Sequence, residues 1–257
     1  VAHAQDRLWQ MLVLRRTAQG RLSEIFGDRS LRSDDLMRRL DLEAYAEASY
    51  ANYSAAARND LEAYAAGVNG WLDQIAREAL GRGAPELFLF EPDIAPWRPQ
   101  DSIAISMLMA LTLSDQAQSD VLRARAILAL DRPERIRDLL PDAPGAGIAA
   151  LPQYASLFNA DPSDFAEITT MPRIENPLYP VAPRGLAGAS NAWAAAPFRA
   201  TSGATLLAND PHLGLSAPSI WYLARLELAS GGVIGATIPG MPIVAVGRSD
   251  RLAWGMT

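Results

Sequence analysis

A chain with two histidines and no cysteine has few ways to make a nucleophile. Thiolate attack, disulfides and thiolate zinc sites are excluded, so any nucleophile must be oxygen or nitrogen. A Ser-His-Asp triad would have to take its base from His3 or His212. No Gly-x-Ser-x-Gly elbow presents a serine, and neither a dinucleotide fingerprint nor a phosphate loop is present. His212 follows Asn209-Asp210-Pro211, where Asn209 and Asp210 could equally be turn formers that bond their own backbone. A loop histidine filling that turn is the bland reading of His212. His3 opens an amphipathic segment, where packing or capping accounts for it. Ser190, judged on its neighbours alone, is a serine in a Gly-Ala-rich linker that ends at a strand.

The elements that must position these groups divide the chain into three. Residues 1–150 read as mainly helical. Leu8, Met11, Leu12 and Leu14 recur at near-helical spacing from Ala4 to Ala18, and Gly20 is a plausible stop. Ser33 is placed to cap a helix over Asp34 to Leu40. Between Leu42 and Ala79, one face of a long helix carries Leu61, Tyr64, Ala65, Val68, Leu72 and Ile75. Gly and Pro from Gly81 to Pro99 break the pattern, Asp101 and Ser102 restart a helix to Leu113, and another is expected from Gln116 to Leu130. Residues 151–189 lose periodicity and accumulate Pro and Gly, the composition of a spacer. Residues 190–257 change grammar again: short runs at Asn191–Phe198, Thr205–Ala208, Ile220–Leu228 and Val233–Thr237, separated by Gly, Pro, Asn and Asp, predict strands.

Bulk properties narrow the partners. The 257 residues are 49% hydrophobic, enough for a sizeable core. A formal charge of -6 provides no basic footprint for nucleic acid or an anionic membrane, so neither is expected as a partner. No apolar run approaches the roughly 18 to 20 residues needed to span a bilayer. The chain opens on Val1, shows no signal-peptide pattern and closes on Trp254-Gly255-Met256-Thr257 without a stop, so continuation at both ends is expected.

Three segments, in order, resemble the penicillin acylase family of N-terminal-nucleophile hydrolases, which includes acyl-homoserine-lactone acylases. The first is His3-Ala4-Gln5-Asp6-Arg7-Leu8-Trp9-Gln10-Met11 with Arg15-Arg16 and Gly20-Arg21-Leu22. The second is Tyr64-Ala65-Ala66-Gly67-Val68-Asn69-Gly70-Trp71, then Pro96-Trp97 and Asp101-Ser102. The third and most specific is Gly188-Ala189-Ser190-Asn191-Ala192-Trp193, continued by Ala208 to Gly214, Pro218-Ser219-Ile220-Trp221-Tyr222, Gly235 to Gly240 and Leu252-Ala253-Trp254-Gly255.

That resemblance implies an α+β protein of the four-layer α-β-β-α type. This chain would supply the helical α subunit, the spacer and the first β-subunit strands. It implies a precursor cut between Ala189 and Ser190, with Ala189 standing where Gly is commoner. Ser190 then becomes nucleophile and chain terminus at once, and its free α-amino group, with a pKa of about 7.7 to 8.0, can take the hydroxyl proton. His212 matches a position near that amine, where it would help orient the amine or the acyl group. The oxyanion donors, a backbone N–H soon after the Trp-Gly segment and a distant Asn, would lie past Thr257.

Met109 and Leu113, four apart on one helix face, match the family's acyl-pocket helix, and Trp221 is assigned to substrate binding with them; a buried core stripe would have the same spacing. Asp120 matches an acidic calcium ligand, but calcium needs about six to eight oxygens and one carboxylate is no site. The expected reaction is hydrolysis of a small-molecule acyl amide, either a β-lactam side-chain amide or an N-acyl homoserine lactone, with no cofactor for catalysis. The expected location is periplasmic, and α and β subunits of one precursor are the expected partners. A non-catalytic helical binding module is the alternative, if the chain ends at Thr257.

Overall fold

The computed structural model of the chain describes residues 1–78, 83–113, 126, 190–214, 216–229 and 231–257. Residues 1–109 and 190–257 belong to one compact unit; residues 110–113 and 126 belong to a second. The helix expected over Gln116 to Leu130 and the Pro-rich stretch that follows lie, Ala126 apart, outside the described residues. Among those residues the chain is α+β. Six helices, α1 (Ala2–Ala18), α2 (Ser23–Phe26), α3 (Leu31–Leu40), α4 (Leu42–Asn52), α5 (Ala55–Glu78) and α6 (Pro99–Leu113), precede six strands. The strands are β1 (Asn191–Ala195), β2 (Leu206–Asp210), β3 (Tyr222–Leu228), β4 (Gly231–Thr237), β5 (Val244–Ser249) and β6 (Ala253–Trp254). β1 and β2 form an antiparallel pair, and β3-β4-β5-β6 an antiparallel meander. No helix among the described residues is long and apolar enough to cross a membrane.

The first helix ends where its sequence says it should. Gly20 adopts φ +62°, Gly20 N–H donates to Thr17 O at 3.1 Å and Arg21 N–H to Arg16 O at 2.9 Å. Those two bonds satisfy the last carbonyls as a Schellman motif, which a left-handed glycine permits. Two expectations need correction. Ser33 does not cap: α3 begins at Leu31, and Ser33 is buried within it with its hydroxyl unpartnered among the described residues. The stripe from Leu42 to Ala79 is not one helix but α4 and α5, broken at Tyr53, whose backbone is extended; Ser54 Oγ then accepts Ala57 N–H at 3.2 Å and starts α5. A serine bonding a nearby amide offers the chain an alternative to continuing the helix. Asp34, buried in α3, takes Leu22 N–H and Ser23 N–H on its two oxygens, each at 2.8 Å, satisfying amides at the start of α2.

One core joins the helices to the sheet. Ala4 and Met11 of α1, Ala65 and Val68 of α5, Trp97, Ile105 of α6, and Ile238 and Met241 of the β4–β5 loop form a buried cluster. Gly240 shapes that loop: at φ +99° it turns so tightly that a Cβ would sit 2.6 Å from Ile105 Cδ1. A buried Arg15–Asp101 ion pair, 3.3 Å apart, ties α1 to the start of α6. There Asp101 also accepts Arg98 N–H at 2.9 Å, one half of a capping box.

His3 is a packing residue, hydrogen-bonded on both sides, and does not cap α1. Thr237 Oγ1 donates to Tyr222 O at 2.8 Å, so its lone pairs face His3 Nε2, also at 2.8 Å. Nε2 therefore carries the imidazole proton, leaving Nδ1 to accept from Tyr64 O–H at 2.9 Å; Tyr64 in turn accepts Gly240 N–H at 3.0 Å. The chain of bonds from Gly240 to Tyr222 is complete only with a neutral ring. Burial accordingly holds His3 down to about 4, with the Val1 α-ammonium and then Arg7 adding to the effect and Asp6 opposing it.

Candidate active site

Strand register brings Ser190 to its neighbours. Asn191 pairs with Asp210 across β1 and β2, so Ser190, one residue before β1, lies opposite the chain leaving β2 at Pro211–His212. Proline lacks an N–H and ends the ladder, so the next main-chain donor is that of His212. It donates to Ser190 Oγ at 3.0 Å. The imidazole takes another direction, with Nε2 2.8 Å from Asp210 Oδ2 and both side chains exposed. Ser190 and His212 are thus together, joined through the His212 main chain.

A fixed N–H on a serine hydroxyl has a definite chemical effect. It occupies a lone pair of the neutral hydroxyl and bonds more strongly to the alkoxide that forms when the proton leaves, favouring the charged form. Ser190 itself is half-buried, open enough to meet a reactant.

The other candidate residues are placed as follows. Met109 and Trp221 are partly buried against the cluster that contains Val68, Trp97, Ile105 and Ile238. Leu113, at the end of α6, is exposed. Asp120 and Ala189 lie outside the described residues. Among the described residues no group of three or more His, Asp or Glu side chains could hold a metal ion. No donor set among the described residues fits calcium.

The sequence reading missed Asn209. It is not in a turn but within β2, and its side-chain amide reaches Asn191 and Met256 at once. Only the pairing of β2 with β1 reveals this, since Asn before Asp-Pro is an ordinary turn signal. β5 was missed as well, because Gly247 and Arg248 interrupt its apolar pattern.

Comparison with known proteins adds a family to this geometry. The penicillin amidase family profile matches residues 1–257. An acyl-homoserine lactone acylase QuiP of Pseudomonas aeruginosa is 32% identical over 280 residues, covering 99% of this chain and 29% of that protein. The penicillin acylase 2 proenzyme of Pseudomonas sp. strain SE83 is 32% identical over 258 residues, covering 93% of this chain and 30% of that protein. The penicillin G acylase of Escherichia coli is 26% identical over 302 residues, covering 99% and 35%. The chain therefore spans roughly a third of the length of these relatives. Among solved structures, a thermostable penicillin G acylase from Alcaligenes faecalis aligns with a TM-score of 0.43 and 25% identity over 55% of this chain and 78% of that one.

Proposed function

The chain belongs to the penicillin amidase family, and from that premise we propose that it carries the nucleophile of a linear-amide hydrolase, Ser190, exposed as a chain terminus by cleavage after Ala189. The observation that carries this reading is the 3.0 Å bond from His212 N–H to Ser190 Oγ at the mouth of β1. A serine in a linker needs no such donor; a serine that must carry negative charge does.

In the proposed reaction, the freed α-amino group of Ser190 takes the proton from Oγ as the oxygen attacks the amide carbonyl. The His212 N–H stabilises the charge on Oγ before the bond forms. Collapse, with the α-ammonium passing that proton to the departing nitrogen, expels the amine, leaves an ester on Ser190 and restores the neutral α-amino group. Water, deprotonated by the same α-amino group, then releases the carboxylic acid and restores the hydroxyl. The exposed Asp210–His212 pair flanks the nucleophile and would orient the amine or the acyl group. Met109 and Trp221 would meet the acyl chain. Proposed substrates are N-acyl homoserine lactones and β-lactam side-chain amides, a choice supported by relatives named for acyl-homoserine lactone and for penicillin. We place the processed two-subunit enzyme in the periplasm as part of the same proposal.

The test is hydrolysis of an N-acyl homoserine lactone and of a phenylacetyl amide by the complete natural protein, read as released amine. Wild type should turn over at least one of them, and Ser190→Ala should lose about 10⁴-fold or more. Turnover by Ser190→Ala within about tenfold of wild type would reject Ser190 as nucleophile.

A further inference from the structure

The Asn209 side chain is placed as a strand neighbour would be. Its Nδ2 donates to Asn191 O at 2.8 Å and to Met256 O at 2.9 Å, while its Oδ1 accepts Met256 N–H at 3.1 Å. Both donors of the amide are thereby used, and both main-chain groups of Met256 are satisfied by one side chain. Gly255 completes the fit. A Cβ there would lie 2.8 Å from Asn209 Cγ and 2.9 Å from its Cβ and Oδ1, so the amide rests directly on the glycine backbone. Asn191 follows the nucleophile, whereas Met256 belongs to the segment leaving β6, in the other sheet. One amide therefore ties the main chain of residues 255–257 to the main chain beside Ser190.

Resting on the reading of Ser190 as nucleophile, we propose that Asn209, seated on Gly255, is a positioning residue that fixes the 255–257 main chain against the nucleophile and so sets the geometry of acyl transfer. Asn209 touches no reacting atom. It acts through the two backbones it joins, and catalytic geometry is sensitive on that scale, since a displacement of about 1 Å can cost about 100-fold in rate. Aspartate cannot substitute: it keeps the acceptor for Met256 N–H but sets a carboxylate oxygen against the carbonyls of Asn191 and Met256.

Three variants of the complete protein test this: Asn209→Asp, Asn209→Ala and Gly255→Ala, the last leaving the amide in place but pushing it off its seat. Active sites are titrated by the burst of acyl-enzyme, so that kcat is expressed per functional site. The expected result is a fall in kcat of about 10- to 100-fold in all three, with KM within about threefold of wild type. A variant that folds with the wild-type melting midpoint but is cut at Ser190 at least about tenfold more slowly supports the proposal equally, because the same hydroxyl makes that cut. Wild-type kcat per titrated site in the Asn209 variants overturns it, as does wild-type kcat in Gly255→Ala where the Asn209 variants fail to fold. Ser190→Ala is run alongside. If it is inactive and the Asn209 variants are normal, only the positioning role is rejected. If it is active, the nucleophile reading falls and the positioning role with it.

Discussion

The chain's two histidines mark two regions built on different terms. At the junction of α1, α5 and β4, His3 is half-buried with both ring nitrogens bonded, in a chain of hydrogen bonds that leaves no donor or acceptor for a substrate. Just past the end of β2, His212 is exposed, its ring leans on an exposed carboxylate, and its main chain carries the bond that reaches Ser190. The first region spends its polar groups on one another and fixes the architecture. The second leaves them accessible. The role of each histidine follows from where its bonds end, not from its being one of only two.

Main chain and ring can be separated at position 212 by substitution. His212→Pro removes the N–H on Ser190 Oγ and should lower kcat by about 100-fold, the scale of losing one aimed donor. His212→Ala keeps that N–H and loses only the orienting contact of an exposed ring paired with Asp210, so kcat should fall by no more than about fivefold. Steady-state kinetics on titrated sites decides. Equal, large losses in both variants would make the imidazole itself the working group.

A smaller effect sharpens the other side. His3 titrates at about 4 in the folded chain, below its ordinary 6.5, because burial penalises the charged ring. The unfolded chain therefore takes up this proton first as pH falls. Stability from His3 is full above about pH 6.5, declines between about 6.5 and 4, and is flat below. The full shift would be worth about 3 kcal/mol, and because the ring is only half-buried and solvent screens it about 1.5 kcal/mol is expected. Denaturant unfolding of wild type and His3→Gln across that window measures it. Wild type should lose about 1.5 kcal/mol more than the variant. Parallel curves would show that the ring is not held neutral.

What the sequence made legible was local. Leu8, Met11 and Leu12 with Gly20 defined α1 and its stop, because side-chain spacing and a left-handed glycine are properties of neighbouring residues. The break at Tyr53–Ser54 carries no Gly or Pro and left the α4–α5 stripe looking continuous. Ser33 met the local rule for a cap, but the Gly27–Ser30 turn runs straight into Leu31 and starts α3 earlier. The site divided in the same way. Ser190 and His212 were singled out by motif, whereas the roles of Asn209, Tyr64 and Thr237 depend on partners far along the chain, which no local pattern encodes.

On the proposed function, the exposed region is built around a serine that becomes a chain terminus. N-terminal sequencing of every polypeptide in the purified complete protein, with intact masses, tests it most directly. The proposed cleavage yields a chain beginning Ser-Asn-Ala-Trp at Ser190, absent from Ser190→Ala, which should remain uncut. A processed chain beginning at any other residue, or the same cut in Ser190→Ala, would contradict it.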